Sequence, residues 1–431
     1  MEWTTVAPMP TTSDGGTTGV IGNKFYYIGG KGSNNQTLNI VQIYDSETNT
    51  WSYGASASTA KNFSASAVVG DKIYVFGGED RSLPSMLDIT EVYDTQTDSW
   101  TIKTPMPTAG YMQSAVAYGT DIYVVGTLVN GDNHILIYDT VADSWREGTE
   151  LPSTKYNPSV QIFEGKIYVI GGHVGSSEVG TDDVWIYDIA TDTWSDGEPM
   201  PIERTLSIAL RYEHKIFLFG GYHRGNLSAV DVYDIFTNSW GKDVPDLPYA
   251  VRHPSEALIG NKAYVIGGGA PAGVNTVLSI ELPVVNKLYL LLYIGEEEQL
   301  SVSFNLPDNL LLDWRSTNEA VATVDENGIV TGVNEGTAYV FASDGNGYSD
   351  YIPVKVIEGM RLAVHLKVGE TCKLYLTPNP LDVVWSSENA QIASVSSYGI
   401  VTAVSRGVVR MTGTIRDIEY DIYVRVDDDD E

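Results

Sequence analysis

Apolar and polar residues alternate by twos through the first two thirds of the chain, in runs of about five residues separated by glycine and polar clusters. That period places successive side chains on opposite faces of an extended strand, so the pattern predicts short antiparallel strands rather than helices. The run "GDKIYVFGGED" (Gly70 to Asp80) returns as "EGKIYVIGGHV" (Glu164 to Val174). Glycine pairs recur at Gly29/Gly30, Gly77/Gly78, Gly171/Gly172, Gly220/Gly221 and Gly267/Gly268, and "IYVVGT" at Ile122–Thr127 is a sixth copy with one glycine lost.

After five of these copies comes a strand ending in Tyr-Asp and then a tryptophan, as in "IYDSETNTW" and "VYDTQTDSW". The tryptophans fall at 51, 100, 145, 194 and 240, a spacing of 45 to 49 residues. Each unit therefore reads as four short strands, one blade of a propeller. The aromatic residue at Tyr74, Tyr168 or Phe217 is expected to face a neighbouring blade. The glycine pair is expected to let backbones pass closely, the Asp to shape the turn, and the Trp to pack between blades. All are structural roles.

The sixth unit has a third strand, "TVLSIELP" (Thr276 to Pro283), but no Trp follows it. Trp3 lies 48 residues before Trp51, and "WTTVAPMP" copies "WTIKTPMP" from the end of another unit. The first strand of the chain is thus expected to complete the last blade, removing the open sheet edges. Burial of Trp3 is worth ~2–3 kcal/mol on the area scale. These residues resemble the kelch family over residues 1–284, and the period is close to the ~50 of kelch repeats.

Beyond Pro283 a different repeat appears: "WRSTNEAVATVDENGIVTGVNEGTAYV" from Trp314 is answered by "WSSENAQIASVSSYGIVTAVSRGVVRM" from Trp385. The period is 71 residues, and Trp to Gly is 14 in both, Trp314 to Gly328 and Trp385 to Gly399. Two small β-sandwiches are predicted, each with one tryptophan in its core. The "W-x-S-x-N" opening, the "VATV" or "IASV" strand and the "GIVT" turn resemble bacterial immunoglobulin-like group 2 domains. That resemblance implies a surface-exposed spacer or adhesive role. The predicted fold is all-β: a six-bladed propeller over residues 1–284 and Ig-like domains over 285–357 and 358–431, the last ending in an acidic, solvated tail.

Composition narrows the function classes. The formal charge of −30 argues against nucleic acid, whose phosphates seek a basic surface. No apolar run reaches the ~20 residues needed to span a bilayer, so a soluble product without membrane insertion is expected. Cys372 is the single cysteine, which excludes an internal disulfide and a thiolate metal cluster. The opening "MEWTTVAPMP" is no signal peptide. Folded structure from residue 3 onward leaves no room for an export segment in this numbering; a trimmed surface protein and a phage virion protein both fit.

In a propeller, the loops entering the innermost strands and those leaving the glycine-pair strands gather at one channel mouth. The first set contributes Asp14, Lys61, Asn62, Tyr111, Lys155, Tyr156, Glu203, Arg204, Arg252 and His253; the second adds Arg81, His173, Tyr222, His223 and Arg224. Residues 1–283 hold 16 Lys and Arg against 33 Asp and Glu, yet five positions of the first set are Lys, Arg or His. The opposite rim carries Asp45, Asp94, Asp98, Asp139, Asp143, Asp188 and Asp192. A basic, aromatic mouth receiving an anionic or polyhydroxylated ligand is the expected site, through charge-assisted hydrogen bonds and ring stacking.

Enzymatic readings fare unevenly. Copper oxidases resembling kelch propellers use a cysteine inside the ring, whereas Cys372 lies in the second sandwich. The repeated turns of sialidases are absent, as are a phosphate-cradling loop and a nucleophile elbow. A kelch-type sugar mutarotase, with Glu203 as acid or base beside Arg204 and His253, is the enzymatic alternative. His173 and His223 lack nearby carboxylates for a metal site, so neither metal nor cofactor is expected. The reading is a non-catalytic recognition or adhesion protein of a bacterial surface or phage virion, with a surface glycan or protein as partner. Homo-oligomer and virion assembly are both compatible. A purely architectural subunit, using its outer strands, is the remaining alternative.

Overall fold

The computed structural model describes residues 1–175, 179–235, 237–269, 275–282, 290–301, 312–343, 349–357, 364–374, 383–415 and 418–427. These residues form strands, turns and connecting loops with no helix among them. Packing divides the chain into a first unit, Met1–Pro283, and a second containing most of the remainder. The acidic tail beyond Asp427 and both proposed domain junctions fall outside the described residues.

The first unit holds six four-stranded antiparallel sheets. Their innermost strands are Thr17–Ile21, Ala65–Val69, Ser114–Tyr118, Ser159–Phe163, Ile208–Tyr212 and Ser255–Ile259. Each lies beside the next, and the last lies beside the first, so the sheets, here called blades 1 to 6, close a ring. Apolar side chains fill the space between blades: Tyr74, Phe76 and Val92 of blade 2, for example, pack against Ile122, Leu136 and Tyr138 of blade 3.

One bond recurs around the ring. The indole Nε1 of each repeat tryptophan donates to a backbone carbonyl of the preceding blade: Trp51 to Ala7, Trp100 to Ala55, Trp145 to Thr104, Trp194 to Glu150 and Trp240 to Glu198, all at 2.8–2.9 Å. Five residues after the tyrosine of each Tyr-Asp, the chain supplies a second tie. Asp98 Oδ1, for instance, accepts both the Tyr93 hydroxyl at 2.5 Å and the Ala55 N–H of the preceding blade at 2.6 Å. These two donors, with the Ala55 bond foremost, hold its carboxyl below the usual range. Asp45 Oδ1 accepts from the N–H groups of Glu47 and Thr48, the turn-shaping role expected of the "YD" aspartate.

The N-terminal strand closes the ring. Thr4–Val6 pairs antiparallel with Val277–Glu281 in the register Thr4↔Ser279, Thr5↔Leu278, Val6↔Val277. Trp3 takes the sixth tryptophan position: its Nε1 donates to Pro245 O at 2.9 Å, and its ring meets Phe219 of blade 5 edge-on at 5.9 Å. Met9 is buried beside Phe25 and Tyr264.

In the second unit, each Ig-like module opposes two sheets. In one, Leu290–Tyr293, Ser349–Ile357, Gly336–Ser343 and Asp313–Ser316 face the three-stranded sheet of Glu297–Gln299, Ile329–Gly332 and Ala322–Val324. The other repeats this order with Val364–Lys367 first and Ile418–Asp427 beside it. In both, the first strand pairs parallel with the last. The tryptophans depart from expectation: Trp314 and Trp385 are half-buried and pack at the margin of their cores. The 14-residue spacing has a steric cause, because Gly328, at φ +83°, sits under the indole, and a Cβ there would lie 2.8 Å from Trp314 Cε2. The ring thus covers the turn, leaving its other face accessible.

Two outcomes follow. Deleting residues 2–9 removes a strand, a tryptophan tie and a buried methionine, so the melting temperature should fall sharply; Trp3→Ala alone should cost ~2 kcal/mol or more. A thermal melt left unchanged by the deletion would refute the closure. Gly328→Ala should destabilise its module by on the order of 1–3 kcal/mol, read by denaturant unfolding.

Candidate functional site

Both loop sets do meet at one end of the channel. Residues just before the innermost strands bridge to residues just after the glycine pairs: Asp14↔Lys31, Asn62↔Glu79, Tyr156↔His173, Thr205↔Tyr222 and Arg252↔Gly269. The glycine pairs drive this arrangement through backbone contact with the next blade. Gly30 N donates to Lys61 O at 2.8 Å and Gly172 N to Arg204 O at 3.0 Å. A Cβ on Gly29 would stand 2.3 Å from Lys61 O, so no larger residue fits there.

That docking corrects the expected placement of three basic residues. Lys61, Lys155 and Arg204 are the residues whose carbonyls receive the preceding blade, and their side chains turn inward to complete burial. Lys61 pairs with Glu91, Arg204 with Asp231, and Lys155 Nζ with Asp183 at 2.5 Å. The Lys155 ammonium also sits 4.0 Å from the Trp185 ring centre. Burial pulls down the pKa of all three, and their carboxylate partners oppose it. The Lys61 and Arg204 pairs are interior and the Lys155 pair reaches the surface through Asp183, so the basic mouth inferred from loop composition shrinks accordingly. Asn62 is likewise buried, its amide donating to Glu79 Oε1 at 3.2 Å.

Of the trio named for a mutarotase, Arg204 is buried against Asp231, Glu203 Oε1 lies 3.2 Å from His223 Nδ1, and His253 packs on Phe63. What remains at the mouth is aromatic and charge-balanced. Arg252, half-buried, holds its guanidinium 5.8 Å from the Tyr222 ring centre. Tyr156 stacks on His173 at 5.6 Å, and His173 Nδ1 lies 3.0 Å from Thr205 Oγ1. Tyr111 is half-buried on the same rim, and Arg81 and Arg224 are exposed. Asp14 Oδ2 lies 3.5 Å from Lys31 Nζ, while its Oδ1 and the Asn62 Oδ1 are buried without a hydrogen-bond partner. Burial raises the Asp14 pKa, against the pull of Lys31, Arg252 and Arg81.

One residue from each blade lines the central cavity in a left-handed conformation: Gly15, Phe63, Met112, Asn157, Leu206 and His253, with φ between 48° and 69°. Five of the six carry side chains in this costly conformation, a concentration of strain typical of sites where backbone direction is fixed for use. Phe63 and His253 meet at 4.8 Å above Gly15, where a Cβ would strike the phenylalanine ring. Desolvation, with Arg252 adding repulsion, holds the His253 imidazole neutral, its pKa pressed to about 3.

The chamber these six residues help to line has a volume of about 180 Å3, and its wall includes Glu256. Burial raises the Glu256 carboxyl to about 7. Sequence reading missed this residue. Its signal was present: the corresponding inner-strand positions are Thr18, Ser66, Ala115, Val160 and Ala209, all uncharged, so an aligned column of the six repeats isolates the glutamate.

Comparison with known proteins agrees with both repeats. The family model of the KLHDC2/KLHL20/DRC7 kelch-repeats domain matches residues 1–127 and 63–268, and that of the bacterial Ig-like domain (group 2) matches 290–352 and 353–423. An F-box/kelch-repeat protein of Arabidopsis thaliana is 35% identical over 81 residues, 19% of this chain and 20% of its own length. An uncharacterized protein of Clostridium acetobutylicum is 28% identical over 127 residues, 26% of this chain and 13% of its own length. The chain thus spans a fifth or less of either relative. Group 2 Ig-like domains are often found in surface proteins, and among the described residues no helix is long and apolar enough to cross a membrane. A kelch domain joined to such domains has the organisation of an interaction or adhesion module. The chain belongs to the kelch-repeat family, with two bacterial Ig-like domains following its propeller.

Proposed function

We propose that the propeller mouth binds a polyhydroxylated ligand, a glycan on a cell surface, and that the Ig-like domains act as spacers or attachment modules of a bacterial surface or virion protein. The observation that carries this reading is the pairing of half-exposed aromatic rings with cationic and imidazole side chains at the rim. Tyr222 lies beside Arg252 and Tyr156 beside His173. Sugars present C–H faces to such rings, and a guanidinium adds a fork for vicinal hydroxyls or a carboxylate. The inward turn of Lys61, Lys155 and Arg204 favours a neutral or weakly acidic sugar over a densely charged anion.

An array of neutral and acidic glycans should show binding that Arg252→Ala and Tyr222→Ala each reduce at least tenfold, with melting temperatures close to wild type. Arg204→Ala should behave differently: by stranding the buried Asp231 carboxylate it should cost about 3–5 kcal/mol of stability, visible in the melt. Wild-type binding by both Arg252→Ala and Tyr222→Ala would overturn the reading.

A further inference from the structure

The chamber behind the mouth poses a separate problem of charge balance. It is bounded by the innermost strands of all six blades, and its only acid is Glu256. No lysine or arginine lines it, and the one other titratable lining residue, His253, is neutral. The remaining polar wall is hydroxyl and amide, and the hydroxyls are already committed as donors. Thr18 Oγ1 gives its hydrogen to Glu256 O at 2.6 Å, Ser66 Oγ to Thr18 O at 2.9 Å, Ser114 Oγ to Pro158 O at 2.8 Å and Ser255 Oγ to Gly16 O at 2.8 Å. A hydroxyl owns one hydrogen and two lone pairs, so each of these groups can offer a further partner only acceptor capacity. The Gln113 and Gln161 nitrogens donate to Thr127 O and Ala209 O, so hydroxyl lone pairs, amide oxygens and one carboxylate leave the cavity complementary to positive charge.

We propose that this chamber is a binding site for a small monovalent cation, with the Glu256 carboxylate as counter-charge and wall hydroxyl and amide oxygens as neutral ligands. The single carboxylate suits a single charge, because divalent sites such as those of calcium gather several carboxylates. The net negative propeller concentrates cations near its openings. Charged and titratable groups on the packed strands do not compete for the role. Thr17–Ile21 carries none. On Ile208–Tyr212, Arg211 donates to Glu213 O at 2.6 Å and lies over the Phe163 ring, and Tyr212 pairs in register with Lys215. On Lys262–Ile266, Lys262 lies opposite Ile259 at the hairpin turn and Tyr264 is buried among Phe25 and Tyr44.

The sign of the pH effect follows from burial. A carboxyl raised from 4.5 to about 7 holds its proton more tightly when folded, so stability falls as pH rises through that window. A bound cation offsets that loss only where the carboxylate is ionised, above about pH 7.

Thermal unfolding of the full chain at about pH 8, at constant ionic strength, compares sodium, potassium and ammonium chlorides with choline chloride, whose methylated nitrogen carries no N–H and keeps oxygen ligands from close approach. At least one small cation should raise the wild-type melting temperature by a few degrees over choline. Glu256→Gln should remove that increment, and in the wild type it should fade as the pH is lowered to about 6. No wild-type increment, or an equal one in Glu256→Gln, would overturn the proposal. Should that variant fail to fold, the wild-type pH series decides alone: an increment undiminished at low pH assigns the effect to surface charge and rejects the site.

Discussion

The propeller rests on a tie between neighbouring blades, an indole N–H on a backbone carbonyl, made six times around the ring. Sheets that pack face to face gain most of their stability from apolar burial, but burial alone does not fix the angle between them. A directional hydrogen bond at the outer part of each blade does, and it leaves no polar indole atom stranded at a greasy interface. Because the sixth tie comes from Trp3, the two ends of the propeller sequence are held in one sheet, and the identical geometry of the other five ties is what makes that closure fit.

The glycine pairs and the tryptophans work at opposite ends of the blades. The former press backbone on backbone at the mouth, and this close approach determines which side chains remain there. A residue whose carbonyl receives the preceding blade has its side chain carried inward, which is why Lys61 and Arg204 pair with buried carboxylates and Lys155 is buried against the outer carboxylate of Asp183. Residues one step further on, such as Tyr156 and Arg252, stay at the rim. At Lys155 and Tyr156 a difference of one position separates a buried ammonium from a half-exposed ring, whereas Asn62 and Thr205, at the same step in other blades, are buried.

That one-position difference also marks how far the sequence could be read. The blade count, the closing strand and the turn role of Asp45 were legible, because each depends on local pattern and on repetition. The gathering of the two loop sets at one mouth was legible from topology. The depth of Lys61 and Arg204 was not, since Glu91 and Asp231 stand about thirty residues away and nothing in the repeat says that they point at those loops. Strand alternation could place Trp314 against a core but could not reveal Gly328 beneath it, which leaves the indole at the margin. Glu256 was visible only as an oddity in a column of small neutral residues.

The parallel pairing of first and last strands in each Ig-like module has a mechanical meaning. With both terminal strands running the same way, the polypeptide enters a module at one pole and departs at the other. Tension applied along the chain then slides those strands lengthwise, loading their evenly spaced hydrogen bonds together instead of unzipping them singly. Such a module resists traction, as a tether exposed to flow would need to do.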